Sequence, residues 1–151
     1  MLYVDYCILM QSYRETEKAL DELYDRQLEL FTRTQPGAIR YDSVKVLHSV
    51  SDDSPLDDFV IANEAIEQKI RVVKIIKAER KEMLDQKRAE LEESHIPDDR
   101  IFVMYYLRGD PATYIGAMVG YSKDAVWDHK RKMEERLARD GISLYELFGR
   151  R

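Results

Sequence analysis

Residues Tyr114 to Lys130 read YIGAMVGYSKDAVWDHK. An apolar helical run over Ala112–Val119, with Ile115, Met118 and Val119 expected to face inward, stops at Gly120. Glycine supplies the tight turn that lets two short helices cross. Ser122 follows as an N-cap, its hydroxyl placed to accept from the amides of the next turn. A last helix then runs from Lys123 to about Arg139, with Val126, Met133 and Leu137 on its buried face and His129 between them. Asp140-Gly141 closes it. The front of that helix presents Lys123, Asp124, Trp127, Asp128 and Arg131, the kind of surface a recognition helix offers to a major groove.

Upstream, His95-Ile96-Pro97 breaks a helix, because proline disfavours helical geometry in the residue before it. Asp98 and Asp99 are expected to cap the next helix, DDRIFVMYYL. Its apolar residues Ile101, Phe102, Met104, Tyr105 and Leu107 lie nearly all round, so it must be buried on several sides. Arg108-Gly109-Asp110-Pro111 is a turn. At the far end, Phe148 and Gly149-Arg150-Arg151 read as a short tail tucked in by one aromatic.

The stretch GDPATYIGAMVGYSKDAVWDHKRKMEERL, led by IFVMYYLRG, resembles region four of bacterial sigma factors. Gly109, Ile115, Gly120, Ser122, Val126 and Leu137 carry the spacing, over about Asp98–Leu137. The whole-chain layout is similar to small late-gene transcriptional regulators encoded by phages and integrated elements of Gram-positive bacteria. The resemblance implies a helix-turn-helix that docks on promoter DNA, with RNA polymerase or a sigma factor as a further partner. Carried over residue by residue, it implies DNA contacts from Ser122, Lys123, Asp124, Ala125, Trp127 and Asp128, with Lys130, Arg131 and Lys132 meeting phosphates. A carboxylate at Asp124 can accept from cytosine N4. Three departures stand out. Ala125 and Trp127 occupy positions that are often arginine, and Asp128 adds a negative charge near the phosphate backbone. Gly116 stands where the family usually has alanine, an expected cost of about 1 kcal/mol in a helix interior.

Trp127 either packs against the long helices or stacks on a sugar or methyl group. His129 reads as a surface or core-edge residue rather than a ligand, since no second ligand lies near it in sequence. Lys130-Arg131-Lys132 is either a phosphate site or a solvated cationic end, favoured near a helix C-terminus.

The front of the chain has a different texture. Leu2 to about Thr34 holds no glycine or proline, and Leu9, Tyr13, Thr16, Leu20, Leu23, Gln27 and Leu30 step by four and three into one stripe. Tyr3, Tyr6, Tyr13 and Tyr24 read as amphipathic core filler. Gln35-Pro36-Gly37 is expected to end this helix. A second helix enters at Ser54-Pro55 with Asp57 and Asp58 in its first turn, and lasts to about Glu93. Its stripe is Ile66, Ile70, Val73, Lys77, Arg80, Leu84, Lys87 and Leu91. The basic middle predicts burial near Val60–Ile76 and a solvated arm, ERKEMLDQKRAELEE, beyond it. Between the helices, residues 39–50 (IRYDSVKVLHSV) are β-branched enough for a short strand or an extended path.

Composition narrows the function. Six glycines and four prolines in 151 residues, with 35% charged, favour long helices with exposed faces. The net charge of −5 argues against bulk nucleic-acid binding. The charge is uneven, since residues 98–151 hold 10 Lys and Arg against 9 Asp and Glu, and residues 1–97 hold 14 against 20. One cysteine, Cys7, allows no internal disulfide, and the three histidines are scattered, so no metal or other cofactor is expected. No phosphate loop, nucleophile elbow or His-Glu-x-x-His occurs, which speaks against an enzyme. No signal peptide or membrane span is evident, so a cytoplasmic location in a bacterial host is expected.

The expectation is an all-α chain. Residues 1–96 form a long antiparallel helical hairpin with an irregular 35–55 connection, and 97–151 form a three-helix helix-turn-helix domain. It regulates transcription by binding double-stranded promoter DNA. The competing expectation is a protein-interaction module that binds polymerase or a sigma factor through its helical surfaces. The Leu9–Leu30 stripe, wider than one helix can cover, also allows a homodimer.

Overall fold

A computed structural model describes residues 1–38 and 55–149, with the backbone alone for 34–38 and 55. The described residues are helical and turn segments, as expected of an all-α chain. A long first helix, α1 (Leu2–Ala38), is followed by a second, α2 (Pro55–Glu93). Then come α3 (Pro97–Phe102), a π-helical segment (Val103–Leu107), α4 (Ala112–Val119), α5 (Lys123–Arg139) and α6 (Leu144–Phe148). That order is compatible with a hairpin followed by a helix-turn-helix. The expected strand or extended path of residues 39–50 lies outside the described residues. Among the described residues no helix is long and apolar enough to cross a membrane.

The chain divides into two compact units, one of Met1–Arg14 with Glu79–Arg151, the other of Glu15–Ala78. In the second unit, Glu17 pairs with Lys77 at 3.9 Å, Gln27 Nε2 donates to Asn63 Oδ1 at 3.1 Å, and Phe31 lies 6.4 Å from Phe59. Positions rising along α1 meet positions falling along α2, so the two are antiparallel. Leu20, Leu23 and Ile70 form the small core, flanked by Ile66 and Val73. The stripe Thr16–Leu20–Leu23 is buried as its 4-3 spacing predicts, and its polar member Gln27 spends its amide on Asn63. Tyr24 departs from expectation. It is 41% exposed with the Lys74 ammonium 5.8 Å from its ring centre, because it sits one position off the stripe. The helix also runs past the expected stop at Gln35-Pro36-Gly37 to Ala38. A proline in the last turn forfeits little more than one backbone hydrogen bond, which is not enough to end the helix before it.

The first unit holds the larger core. Phe102 is wholly buried, with ring centres of Tyr3, Tyr6, Tyr106 and Phe148 at 5.7, 6.1, 5.3 and 5.6 Å. Four neighbouring rings in stacked, tilted and edge-on contact make a strongly bound apolar centre. Leu84 and Leu91 join it from α2, at 5% and 0% exposure. The expected burial of α2 therefore holds only in part, for Ile70 is buried with Ile66 and Val73 beside it. Val60, Ile61, Val72 and Ile75 are exposed, while the charged segment beyond Glu79 supplies the deepest residues. Leu84 and Leu91 lie one heptad apart and point into the core, and the charges between them occupy the outer faces. The basic stripe positions are tucked in as well. Arg80 donates to the Ser12 carbonyl at 2.8 Å, and Lys87 meets Glu90 at 3.0 Å. Both side chains are half-buried with their charged heads on oxygens.

Asp98 and Asp99 do not cap their own helix. The N-cap of α3 is Ile96, with Pro97 in the first turn and no side-chain cap bond. Proline at that position removes a donor that would be unsatisfied anyway. The two aspartates are turned elsewhere: Asp99 is buried and accepts from the Tyr3 amide (3.1 Å) and the Ser94 hydroxyl (2.8 Å). Ahead of the expected tail lies a short helix, α6, whose Phe148 is tucked against Phe102 as expected, while Arg150 and Arg151 lie outside the described residues. Ser143 accepts from the Glu146 amide at 3.3 Å, and Ile142, Leu144 and Leu147 are buried. Arg14 closes its far end, donating to the carbonyls of Glu146 and Leu147, a favourable place for a cation.

Candidate nucleic-acid interface

The site is built on the turn between α4 and α5. Gly120 takes a left-handed conformation (φ 79°), and its amide and that of Tyr121 both donate to the Gly116 carbonyl at 2.9 Å. That closes α4 with satisfied carbonyls. Gly116 itself is buried, and a Cβ built there would lie 2.5 Å from the Tyr121 carbonyl oxygen. The turn folds back against a bare α-carbon, so glycine is required where alanine would be the better helix former. Ser122 then caps α5, its hydroxyl accepting from the Ala125 amide at 3.1 Å.

Within the same unit, a shared core, two contacts from α3 and a ring stack hold the two helices. Ile115 of α4 and Val126 of α5 are buried in one core. Arg100 of α3 donates to the Met118 carbonyl at 3.3 Å, at the end of α4. Asp98 meets His129 Nδ1 at 2.7 Å, and the His129 ring lies parallel to Tyr121 with centres 5.0 Å apart. His129 is thus a half-buried clamp between α3, the turn and α5. Met118, expected inward, is 48% exposed, and Ala112 takes the inward place on α4.

The buried face of α5 is Val126, Lys130, Met133 and Leu137, a 4-3-4 stripe. It includes Lys130 where His129 was expected. The Lys130 ammonium sits 4.7 Å from the Tyr105 ring centre, 4.6 Å from the Trp127 ring centre, and 3.5 Å from Glu134. Glu134 in turn accepts from the Tyr106 hydroxyl at 2.9 Å. Lys130 is therefore a packed cation satisfied by two rings and a carboxylate, and is withdrawn from the set of phosphate contacts. Trp127 leans edge-on against Tyr105 of the π-helical segment, centres 6.0 Å apart, and keeps 41% of its surface exposed. It packs on the short preceding helix and still offers an edge to solvent.

Ser122, Lys123, Asp124, Trp127, Arg131 and Lys132 are exposed together along the front of α5, and Ala125 is half-buried behind them. Asp128 is bound by its neighbours: Arg131 at 2.7 Å and Lys132 at 2.9 Å. The hydrogen bond from Lys132, then that from Arg131, holds its carboxyl below the usual carboxylate range. The acidic residue that opposes phosphate binding is thus balanced by the two cations beside it. The exposed front retains Lys123 with Asp124, an aromatic edge, and two cations sharing one anion.

Sequence reasoning missed four features here. The Asp98–His129 contact joins residues 31 apart and the Asp99–Tyr3 contact residues 96 apart, and neither pairing leaves a local pattern. The π-helical segment has no sequence mark. It is fixed by the Arg108 amide donating to the Val103 carbonyl at 2.9 Å and by Gly109 at φ 77°. The α6 helix did leave a mark, the Ser143-x-x-Glu146 capping spacing. No family model, curated protein or solved structure matches the chain.

Proposed function

We propose that this protein is a DNA-binding transcriptional regulator that docks on promoter DNA through α5, in the manner of a sigma-like helix-turn-helix. One observation carries the reading. A helix-turn-helix locked by Gly116, Gly120 and the Ser122 cap leaves Lys123, Asp124, Trp127 and Arg131 exposed together at the front of a rigid helix. Lys123 and Asp124 lie in the first turn, where base edges are reached in such domains. Arg131 and Lys132, about two turns further along, would meet phosphates once they exchange Asp128 for the DNA backbone. The reading is of mobile-element type, in a bacterial cytoplasm.

Fluorescence anisotropy against DNA fragments at ~50 and ~200 mM salt tests it, since phosphate contacts weaken steeply over that range. Saturable, salt-sensitive binding that prefers one fragment is the expected result. Absence of binding at the lower salt would reject it.

A second reading is favoured by the exposed apolar residues of α4. Tyr114 and Met118, one helical turn apart, are 49% and 48% exposed. Met118 also borders a groove with Leu91, Ser94, His95, Arg100 and Arg108. Such a surface suits a protein partner, RNA polymerase or a sigma factor, held without DNA contact. Nuclease-resistant co-purification with polymerase, with no DNA retention, would distinguish it.

A further inference from the structure

In the Glu15–Ala78 unit a second apolar seam of α2 lies open to solvent, its members Ala65, Gln68 and Val72 bordering a shallow groove with Ala19, Glu22 and Arg26 of α1. Ile66, Ile70 and Val73 face α1. Beside them Ile61, Ala65, Gln68, Val72 and Ile75 step 4-3-4-3 along another face, and all five are exposed. The three large members are 66%, 56% and 60% exposed, unusual for β-branched residues gathered on one helix face.

The charges around this seam change sign at its midpoint. Toward the helix start stands Glu64, with Asp57 and Asp58 before it. Past Gln68 come Lys69, Arg71, Lys74 and Lys77, with no acid from Lys69 to Ala78. Glu64 and Arg71 are both exposed, on the same flank of the seam seven residues apart. Turned end for end about Gln68, the seam complements itself, and Glu64 of one copy comes beside Arg71 of the other. A surface that matches its own two-fold copy is what an isologous contact requires.

We propose that the chain forms a homodimer in which two copies of this α2 seam pack antiparallel about Gln68. Two hairpins then make a four-helix arrangement that covers Ile61, Val72 and Ile75. Gln68, the polar member at the centre, fixes the register. This rests on the hairpin alone and stands or falls independently of DNA binding.

The test is the mass of the full chain in solution, by light scattering and sedimentation equilibrium. The wild type is expected at twice 17.8 kDa. Val72→Lys with Ile75→Lys is expected at the single-chain mass with unchanged helical circular dichroism, since both positions are exposed. Glu64→Arg alone should weaken association, and adding Arg71→Glu should restore it. Gln68→Cys should give a disulfide-linked dimer on mild oxidation, because the native Cys7 is wholly buried. A wild type that remains at 17.8 kDa at its highest soluble concentration overturns the proposal. So does a dimer indifferent to the Val72 and Ile75 changes. If those changes reduce helicity, the charge exchange decides: no recovery in the double variant overturns the antiparallel register.

Discussion

The amide of Tyr3, in the first turn of α1, donates to the carboxylate of Asp99, 96 positions away in the first turn of α3. The Asp99 side chain is wholly buried and takes its second bond from Ser94. One carboxylate thus satisfies an otherwise unpaired amide at the start of α1 and fixes the α2–α3 corner. Helix-start amides need such a partner, and a negative charge there also suits the helix dipole.

Asp99→Ala leaves a buried amide and a hydroxyl without their acceptor. An unmet buried donor costs about 1–3 kcal/mol. Urea unfolding should show a loss in that range, and a smaller one for Asp99→Asn, which keeps one acceptor oxygen. Equal losses in the two variants would mean the carboxylate's charge, not its hydrogen bonds, carries the effect.

Gly116→Ala gives the sharpest test of the turn. On an open helix face this change stabilises by up to about 1 kcal/mol. Here the new methyl would lie 2.5 Å from the Tyr121 carbonyl oxygen. That atom is backbone and cannot swing aside, so the variant should be destabilised by about 1–3 kcal/mol, the usual range for overpacking. A higher melting temperature would refute the close approach.

Lys130 and its neighbours Arg131 and Lys132 should behave differently. Lys130→Met keeps the packing against Tyr105 and Trp127 and loses the charge, so it should change stability by less than about 1.5 kcal/mol and leave the salt dependence of DNA binding unaltered. Lys130→Ala should cost more and alter the emission of Trp127, the chain's one tryptophan. A flattened salt dependence in Lys130→Met would return this residue to the phosphate contacts.

Asp128→Asn releases Arg131 and Lys132 from their shared carboxylate. It should tighten DNA binding and steepen its salt dependence. Because those cations hold the carboxyl below its usual range, mild acid should not mimic the substitution. The wild type should gain no affinity until the pH falls below the ordinary carboxylate range. Weaker binding by Asp128→Asn would assign the aspartate a direct contact.

Burial pushes the Cys7 thiol up to about 12 and raises Tyr106, Tyr3 and Tyr6 above the usual phenol range. For Tyr106 the hydrogen bond to Glu134 adds to burial. The folded state therefore keeps protons that the unfolded chain releases. This stabilisation is fully present at neutral pH and is lost as pH rises past the unfolded thiol and phenol ranges toward the raised folded ones. Urea midpoints should hold near pH 8 and fall steadily above about 9. A thiol reagent should label Cys7 slowly when folded and rapidly in urea.

Much of the fold was legible because it rests on local periodicity. The Leu9–Leu30 stripe, the Gly120–Ser122 turn and the α5 span were readable from spacing alone. What was hidden depends on partners distant in sequence. Leu84 and Leu91 sit in a segment whose charges predict solvent, and they are buried in a core around Phe102 that draws on the start of α1 as well as the C-terminal helices. The sequence break at 96/97 marks where a helix ends, whereas packing gathers Met1–Arg14 and Glu79–Arg151 into one unit. At the site, the exposed front of α5 was readable by elimination. Lys130 was misplaced because a cation on the inner stripe is stable only beside Tyr105, whose position the sequence does not reveal.

The most direct test of DNA docking is the salt slope of binding for the wild type and for Lys123→Ala with Arg131→Ala. Each phosphate contact contributes about 0.9 to the slope of log affinity against log salt. DNA docking through α5 predicts weaker binding and a slope shallower by about 1–2 in the double variant, with the helical signal unchanged. Affinity and slope identical to the wild type would contradict it.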